Sequence, residues 1–205
     1  MVDGLERVDL ALGQVLYEPD SRVQHVYFPN DSLVSLIVMR LEVGLVGREG
    51  MVGATVALGQ WASPMRALVQ GAGSAMRMEA PRFLDEVARS GGLRPRVDRC
   101  IYLAMTTAMQ IAACNKTHVL EARLARWLLM VRDRLAREEF AMTQDFLAQM
   151  LGVRRAGVTE AASALQERKM IEYSRGKLRI TDVEALRATT CACYGVIREL
   201  EKNAN

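Results

Sequence analysis

The sequence predicts an α+β protein, with a jelly-roll-like β-roll in the first half, one long helix in the middle and a mostly helical last third broken by a β-hairpin. Three observations carry this. All five prolines and eleven of the fifteen glycines fall before residue 96. In that same stretch, short runs of β-branched and aromatic residues alternate with turns, and helical periodicity takes over afterwards. Half of the 205 residues are hydrophobic and a quarter are charged, enough to bury a core and to exclude a disordered or collagen-like chain. No run approaches the roughly 18 apolar residues of a membrane helix, and Met1-Val-Asp-Gly-Leu-Glu lacks the basic and apolar segments of an export signal. A cytoplasmic protein with no membrane partner is therefore expected. Cys100, Cys114, Cys191 and Cys193 are too few for a disulfide framework, so reduced thiols are expected.

Along the first half, strands are predicted at residues 14–17, 23–28, 33–39, 43–46, 67–70 and 74–78, a spacing that suits a compact roll. Turns are expected at Asn30-Asp31 and across Gly71-Ala72-Gly73. Pro81 opens a short helix, and Ser90-Gly-Gly-Leu-Arg-Pro95 then breaks the chain. A compact β-barrel or roll is thus expected over residues 1–93. The next helix should run from about residue 95 to 118, with Ile101, Met105, Ala108 and Ala112 at spacings of four, three and four. Such a narrow apolar seam is what two parallel helices use to pair, so residues 94–118 are expected to be a dimerisation helix and the protein a homodimer. The same seam would also suit packing on the helix's own roll. A further helix over residues 119–137 carries Leu120, Leu124, Trp127, Leu128 and Val131 on one side and reads as core-facing.

Residues 119–205 form the third expected unit, and its centre carries the chemistry. Thr143 suits a helix cap, Leu147, Met150 and Leu151 would face inward, Ala148 lets a second helix cross closely, and Gly152 can take the left-handed conformation that ends the first helix. After a tight turn anchored by Val153, a second helix from about residue 154 to 168 would bury Val158, Ala161, Ala162 and Leu165. Arg155, Ala156, Thr159, Glu160 and Ser163 are left on its outer face. This is a helix-turn-helix pattern, whose second helix enters the DNA major groove. Residues 171–174 and 177–181 then alternate as two strands around Arg175-Gly176, with Leu178 and Ile180 inward and Lys177 and Arg179 outward. That is a wing able to touch phosphates. The DNA-contacting set is therefore Thr143, Gln144, Arg154, Arg155, Thr159, Glu160, Ser163, Arg175 and Lys177, and the expected partner is double-stranded DNA. Charge agrees. Residues 1–93 hold 8 Lys/Arg against 11 Asp/Glu, residues 94–137 hold 9 against 3, and residues 154–179 hold 7 against 3.

Residues 121–187 resemble the winged-helix pattern of the cyclic-AMP receptor / fumarate-nitrate regulator (Crp/Fnr) family of bacterial transcription factors. The matching segments are Glu121-Ala-Arg-Leu-Ala-Arg-Trp-Leu-Leu, Leu147-Ala-Gln-Met-Leu-Gly-Val-Arg-Arg and Ile180-Thr-Asp-Val-Glu-Ala-Leu. More weakly, Leu12-Gly-Gln-Val-Leu-Tyr, Val26-Tyr-Phe-Pro and Arg48-Glu-Gly-Met-Val-Gly look like that family's sensory roll. The resemblance implies a cyclic-nucleotide-binding-like roll, a dimer helix and a winged helix-turn-helix on a palindromic operator, with a small-molecule effector as a further partner. Departures are equally visible. Cyclic-AMP binders carry Gly-Glu near the start of a phosphate cassette and Arg-Ser or Arg-Thr near its end, whereas Gly53 is followed here by Ala54, and Arg66-Ala67 is out of register. A buried phosphate needs a cation and aligned donors, so the pattern argues against cyclic-nucleotide binding and leaves Arg66 as the one obvious anchor. Ala108-Met109 stand where the family's cyclic-AMP binders offer hydroxyls to the base, with Thr106 and Thr107 close by. Gly53, Ala54, Arg66 and Thr106 are accordingly the candidate effector pocket. The recognition helix departs too. Its Arg154-Arg155-Ala156 replaces the family's Ser-Arg-Glu, and Glu160 either accepts from a cytosine amine or orients Arg154 or Arg155.

Other chemistries find little support. A metal oxygenase needs several converging His and carboxylate ligands, and the two histidines, His25 and His118, read as structural, so no metal site is expected. No cysteine precedes residue 100, which argues against an N-terminal iron-sulfur sensor. Cys191 and Cys193, placed on one C-terminal helix, would point in different directions and read as packing or exposed thiols more readily than as a redox switch. Trp61 and Met65 could line a small-molecule pocket but read more readily as core. No phosphate loop and no nucleophile with a matching base is visible, so neither an enzyme nor a cofactor is expected. The alternative of a different class is a dimeric ligand-sensing or protein-interaction module whose winged helix contacts a protein such as RNA polymerase.

Overall fold

The structure, a computed structural model, describes residues 4–204. The first half is built from seven strands: β1 (Glu6–Leu10), β2 (Val15–Tyr17), β3 (His25–Pro29), β4 (Leu33–Val38), β5 (Leu41–Val46), β6 (Arg66–Gly71) and β7 (Gly73–Glu79). They form two antiparallel sheets, ordered β1-β7-β3 and β2-β6-β4-β5. Val23, Val26, Val34, Val52, Val56 and Val69 fill the space between them. β1 escaped the sequence reading because it is an edge strand whose charged residues face water and of which only Leu10 is buried. A short 3₁₀ helix, Ala54–Leu58, links β5 to β6. Helix α1 (Ala80–Arg89) begins with Pro81 in its first turn and presses Phe83 and Val87 into the roll.

Helix α2 (Leu93–Thr117) spans 25 residues, or about 37 Å at the helical rise. Its C-cap His118 and the following Val119 are extended, and α3 (Leu120–Leu135) starts at once. α3 is buried nearly all round, because the roll packs on one side and the C-terminal helices on the other. Beyond it come β8 (Glu139–Ala141), α4 (Gln144–Leu151), α5 (Arg155–Glu167), β9 (Ile171–Ser174), β10 (Lys177–Ile180), α6 (Val183–Thr189) and α7 (Cys193–Ala204). β8, absent from the sequence reading because it is only three residues long, adds a third strand to the wing, in the order β8-β10-β9.

The junction between roll and winged helix is polar and buried. Trp127 on α3 donates its indole N–H to Glu42 Oε1 at 2.8 Å, and Ser35 Oγ donates to Glu42 Oε2 at 2.8 Å. Burial pushes the Glu42 carboxyl up to about 7, against the opposing pull of Ser35, Trp127, Arg126 and Arg134. About two turns further along α3, Arg134 Nε donates to Glu49 Oε1 at 2.7 Å, and the same guanidinium pairs with Glu201 of α7. Burial also raises the Glu201 carboxyl, outweighing that pairing.

The expectation for Cys191 and Cys193 is corrected. α7 begins only at Cys193, so Cys191 lies in the turn before it and the two thiols converge. Cys191 Sγ is 3.4 Å from Cys114 Sγ, and Cys193 Sγ is 3.6 Å from His118 Nδ1.

Candidate nucleic-acid interface

Thr143 caps α4 by accepting from the Phe146 backbone N–H at 3.2 Å, which satisfies one of the donors a helix start leaves unpaired. α4 ends in a Schellman arrangement: the Gly152 N–H reaches Gln149 O at 3.2 Å and the Val153 N–H reaches Ala148 O at 3.0 Å. Gly152 has φ of 64°, a left-handed conformation that favours glycine, and a Cβ there would also have to displace the Leu41 Cδ1 methyl at the tip of the β4–β5 hairpin, 2.6 Å away. The turn sets α5 across α4, with Val158, Ala161, Ala162 and Leu165 buried and Arg155, Ala156, Thr159, Glu160 and Ser163 exposed. In the wing, Arg175 and Gly176 both have positive φ, 50° and 77°, as a two-residue hairpin turn of the I′ kind requires. Lys177 and Arg179 point outward and Leu178 and Ile180 inward.

Among the described residues, the side chains of Arg154, Glu160, Ser163, Arg175 and Lys177 have no hydrogen-bond or ion-pair partner. Their neighbours do. Arg168 pairs with Glu121, Arg187 with Glu184 at 3.2 Å, and Arg179 with Glu172 at 2.5 Å, so the wing's uncommitted charge is confined to Arg175 and Lys177. Arg155 is held loosely by Asp145 on α4 at 3.4 Å, and not by Glu160 as one sequence-based reading had it. Thr159 Oγ1 donates to Gln144 Oε1 at 2.9 Å, tying the two helix starts together. The contact role of Asp145 was missed, although an acidic residue in the first turn of α4 was the available signal.

The seam on α2 divides. Ile101 and Ala108 turn toward the roll, whereas Met105 and Ala112 are exposed and share a face with Tyr102 and Met109, 56% and 62% exposed. The exposed apolar stripe is therefore rotated from the predicted one by about one residue. Between roll and α2 lies a mostly apolar cavity of about 270 Å³. Gly53 and Ala54 line it, with Met65, Met105 and Thr107, and Thr55 lends it a buried hydroxyl oxygen without a partner. Arg66 and Thr106 are corrected: neither lines the cavity. Arg66 pairs with Glu18 at the surface, 3.1 Å away, and Thr106 donates to its own helix at Tyr102 O, 2.8 Å. Arg134 reaches the cavity wall already committed to Glu49 and Glu201. No uncommitted cation among the lining residues faces where a cyclic phosphate would sit.

This is the geometry of a winged helix-turn-helix. Residues 122–189 match the family model of the Crp-like helix-turn-helix domain. Over most of its length the chain is similar to FixK2 from Bradyrhizobium japonicum (14% identity, 92% of this chain and 98% of that one, TM-score 0.75). It is also similar to TTHA1359, a Crp/Fnr transcriptional regulator from Thermus thermophilus (22% identity, 90% and 97%, TM-score 0.73). TTHB099, a CRP-family regulator from the same organism, matches at 17% identity over 90% and 95%, with a TM-score of 0.73. A search of curated proteins finds no significant match. The chain thus carries a Crp-like helix-turn-helix DNA-binding domain within the fold of the Crp/Fnr transcriptional regulators. Among the described residues no helix is long and apolar enough to cross a membrane.

Proposed function

We propose that the protein is a sequence-specific transcriptional regulator that binds a palindromic operator as a homodimer. The observation that carries this is the set of uncommitted side chains on one surface: Arg154 and Glu160 on α5 and Arg175 and Lys177 in the wing, with Arg155 only loosely held by Asp145. Of the other exposed cations in the domain, Arg168, Arg179 and Arg187 are neutralised within the fold, whereas Lys169 and Lys202, like the reading surface, have no ion-pair partner among the described residues. Arg155 and Glu160 are suited to base edges, and Thr143, Arg175 and Lys177 to phosphates. The exposed stripe of Tyr102, Met105, Met109 and Ala112 is the face on which two α2 helices pair, with residues 94–118 as the dimer element between a sensory unit, 1–93, and a DNA-binding unit, 119–205. Pairing there sets the two α5 helices toward half-sites roughly 34 Å apart. The cavity beside α2 fits a small, largely apolar effector that satisfies Thr55, and its occupancy would shift α2 between two positions.

Selection of bound sites from random duplex, with and without cell metabolites, tests the reading. The expected result is a two-fold symmetric site whose affinity falls steeply with salt. Failure to bind any duplex even at low ionic strength would overturn it in favour of a protein-contacting module, with RNA polymerase as the first partner to assay.

A further inference from the structure

Four groups that DNA reading does not use meet where α7 crosses the end of α2. Cys114 and His118 stand one helical turn apart at the C-terminal end of α2, and Cys191 and Cys193 lie at the start of α7. Their ligand atoms all lie within 4.8 Å of one another, and the three cysteines are buried. A tetrahedral Zn²⁺, with Zn–S of about 2.3 Å and Zn–N of about 2.0 Å, sets neighbouring ligand atoms roughly 3.5–3.8 Å apart. The Cys114–Cys191 and Cys193–His118 separations, 3.4 and 3.6 Å, are already close to that.

The surrounding charge gives a second, independent indication. Arg126 is 2% exposed, yet among the described residues no carboxylate lies within 4.0 Å of it; its terminal nitrogen reaches Met130 Sδ at 3.2 Å and its Nε has no partner. Arg123 beside it also has an unpartnered Nε. A buried guanidinium without an anion is costly. Both arginines lie within electrostatic reach of Cys114, and Arg123 also of Cys191. Three thiolates on one divalent cation carry a net single negative charge beside Arg123 and Arg126, whereas Glu42, the carboxylate that does feel Arg126, is beyond ion-pair distance and has its own proton favoured by burial.

We propose that Cys114, His118, Cys191 and Cys193 form a thiolate-rich tetrahedral site for a Zn²⁺-class cation. Soft sulfur ligands select such an ion over Mg²⁺ or Ca²⁺, and four protein ligands leave no open position, which makes the site structural and not catalytic. Its position gives it a purpose. His118 is the extended residue between α2 and α3, so the ion clamps α7 to α2 at the bend from which the winged helix departs. Its effect on operator affinity rests on the function proposed above; its existence does not.

The test uses the full chain, purified under reducing conditions, stripped by chelator and titrated with Co²⁺. One Co²⁺ per chain is expected, with intense near-ultraviolet thiolate-to-cobalt absorption and tetrahedral visible bands, all abolished by added Zn²⁺. Cys191→Ser should lose the charge-transfer absorption, and Cys100→Ser, outside the cluster, should keep it. Should Cys191→Ser fail to fold, His118→Ala at the half-buried ligand provides the same test. It should weaken Co²⁺ binding by more than about 100-fold, beyond the roughly 10- to 100-fold that loss of an outer-shell partner costs. Absence of thiolate absorption overturns the proposal, as does a spectrum indifferent to His118→Ala. A reduced preparation that takes up no Co²⁺ but forms a Cys114–Cys191 disulfide when an oxidant such as oxidised glutathione is added would likewise overturn it and make the pair a redox couple.

Discussion

The winged helix meets its surroundings through two polar surfaces, and the two are organised in opposite ways. Where α3 docks on the roll, the Trp127 indole, both Glu42 oxygens and the Arg134 guanidinium each have a partner inside the protein. On the outer face of α5 and the wing, Arg154, Glu160, Ser163, Arg175 and Lys177 have none among the described residues. Burial explains the contrast. A buried donor or charge left unpaired loses its water without compensation, so the bonds of Trp127, Glu42 and Arg134 are made in one particular docking and thereby specify it. At the outer surface water is the default partner, and exchanging it for phosphates and base edges requires breaking little more than the weak Arg155–Asp145 contact. The inner surface is built to hold, the outer to be traded.

Breaking the inner surface should have the largest effect. Trp127→Ala removes a side chain that is 2% exposed together with the hydrogen bond to Glu42, and should cost roughly 3–5 kcal/mol in urea unfolding. A loss under about 1 kcal/mol would mean that this junction does not fix the docking. Next comes pH. The folded protein holds the Glu42 proton up to about 7, whereas an unfolded carboxyl releases it near 4.5. Stability from this group is therefore fully present below about 4.5 and is lost as pH rises through about 7, on the order of 3 kcal/mol in all. Glu42→Gln keeps an acceptor for Trp127 and should flatten that slope, which denaturant titrations at pH 5 and pH 8 will show.

On the outer surface the effects move from stability to recognition. Arg155→Ala should leave folding within about 0.5 kcal/mol of the parent and cost roughly 1–3 kcal/mol at one base position, read as relaxed preference in a site-selection experiment. Lys177→Ala should be the mildest. It should weaken all duplexes alike and lower the slope of log affinity against log salt by about 1, measured by titration at several ionic strengths. Equal sequence dependence in the two variants would erase the distinction between base and phosphate contacts.

Local signals were legible where a residue's role depends on its neighbours in sequence. Thr143 as a cap, Gly152 as a left-handed terminus, Arg175-Gly176 as a turn and the inward Leu178 and Ile180 all follow from backbone chemistry within a few residues, and each has its predicted conformation. The roll's central strands were legible for the same reason. β1 and β8 were not: one hides its pattern under edge charges, and the other is three residues long and is fixed only by pairing with β10. Of the four residues assigned to the effector pocket, Gly53 and Ala54 line the cavity, while Arg66 and Thr106 do not and Thr107 lines it in place of Thr106.

By itself, the sequence determined the succession of roll, long helix and winged helix, the caps and turns that bound the reading helix, and which side chains of that helix stay wet, because short-range periodicity sets all three. Only the tertiary structure decided which long-range groups meet. It joined Glu42 to Trp127 across 85 positions, Arg155 to Asp145, and Cys114 and His118 to a pair of thiols more than 70 residues away. Such meetings depend on how whole helices cross, and a helix's crossing is fixed by the summed packing of its buried face, which no window of sequence contains.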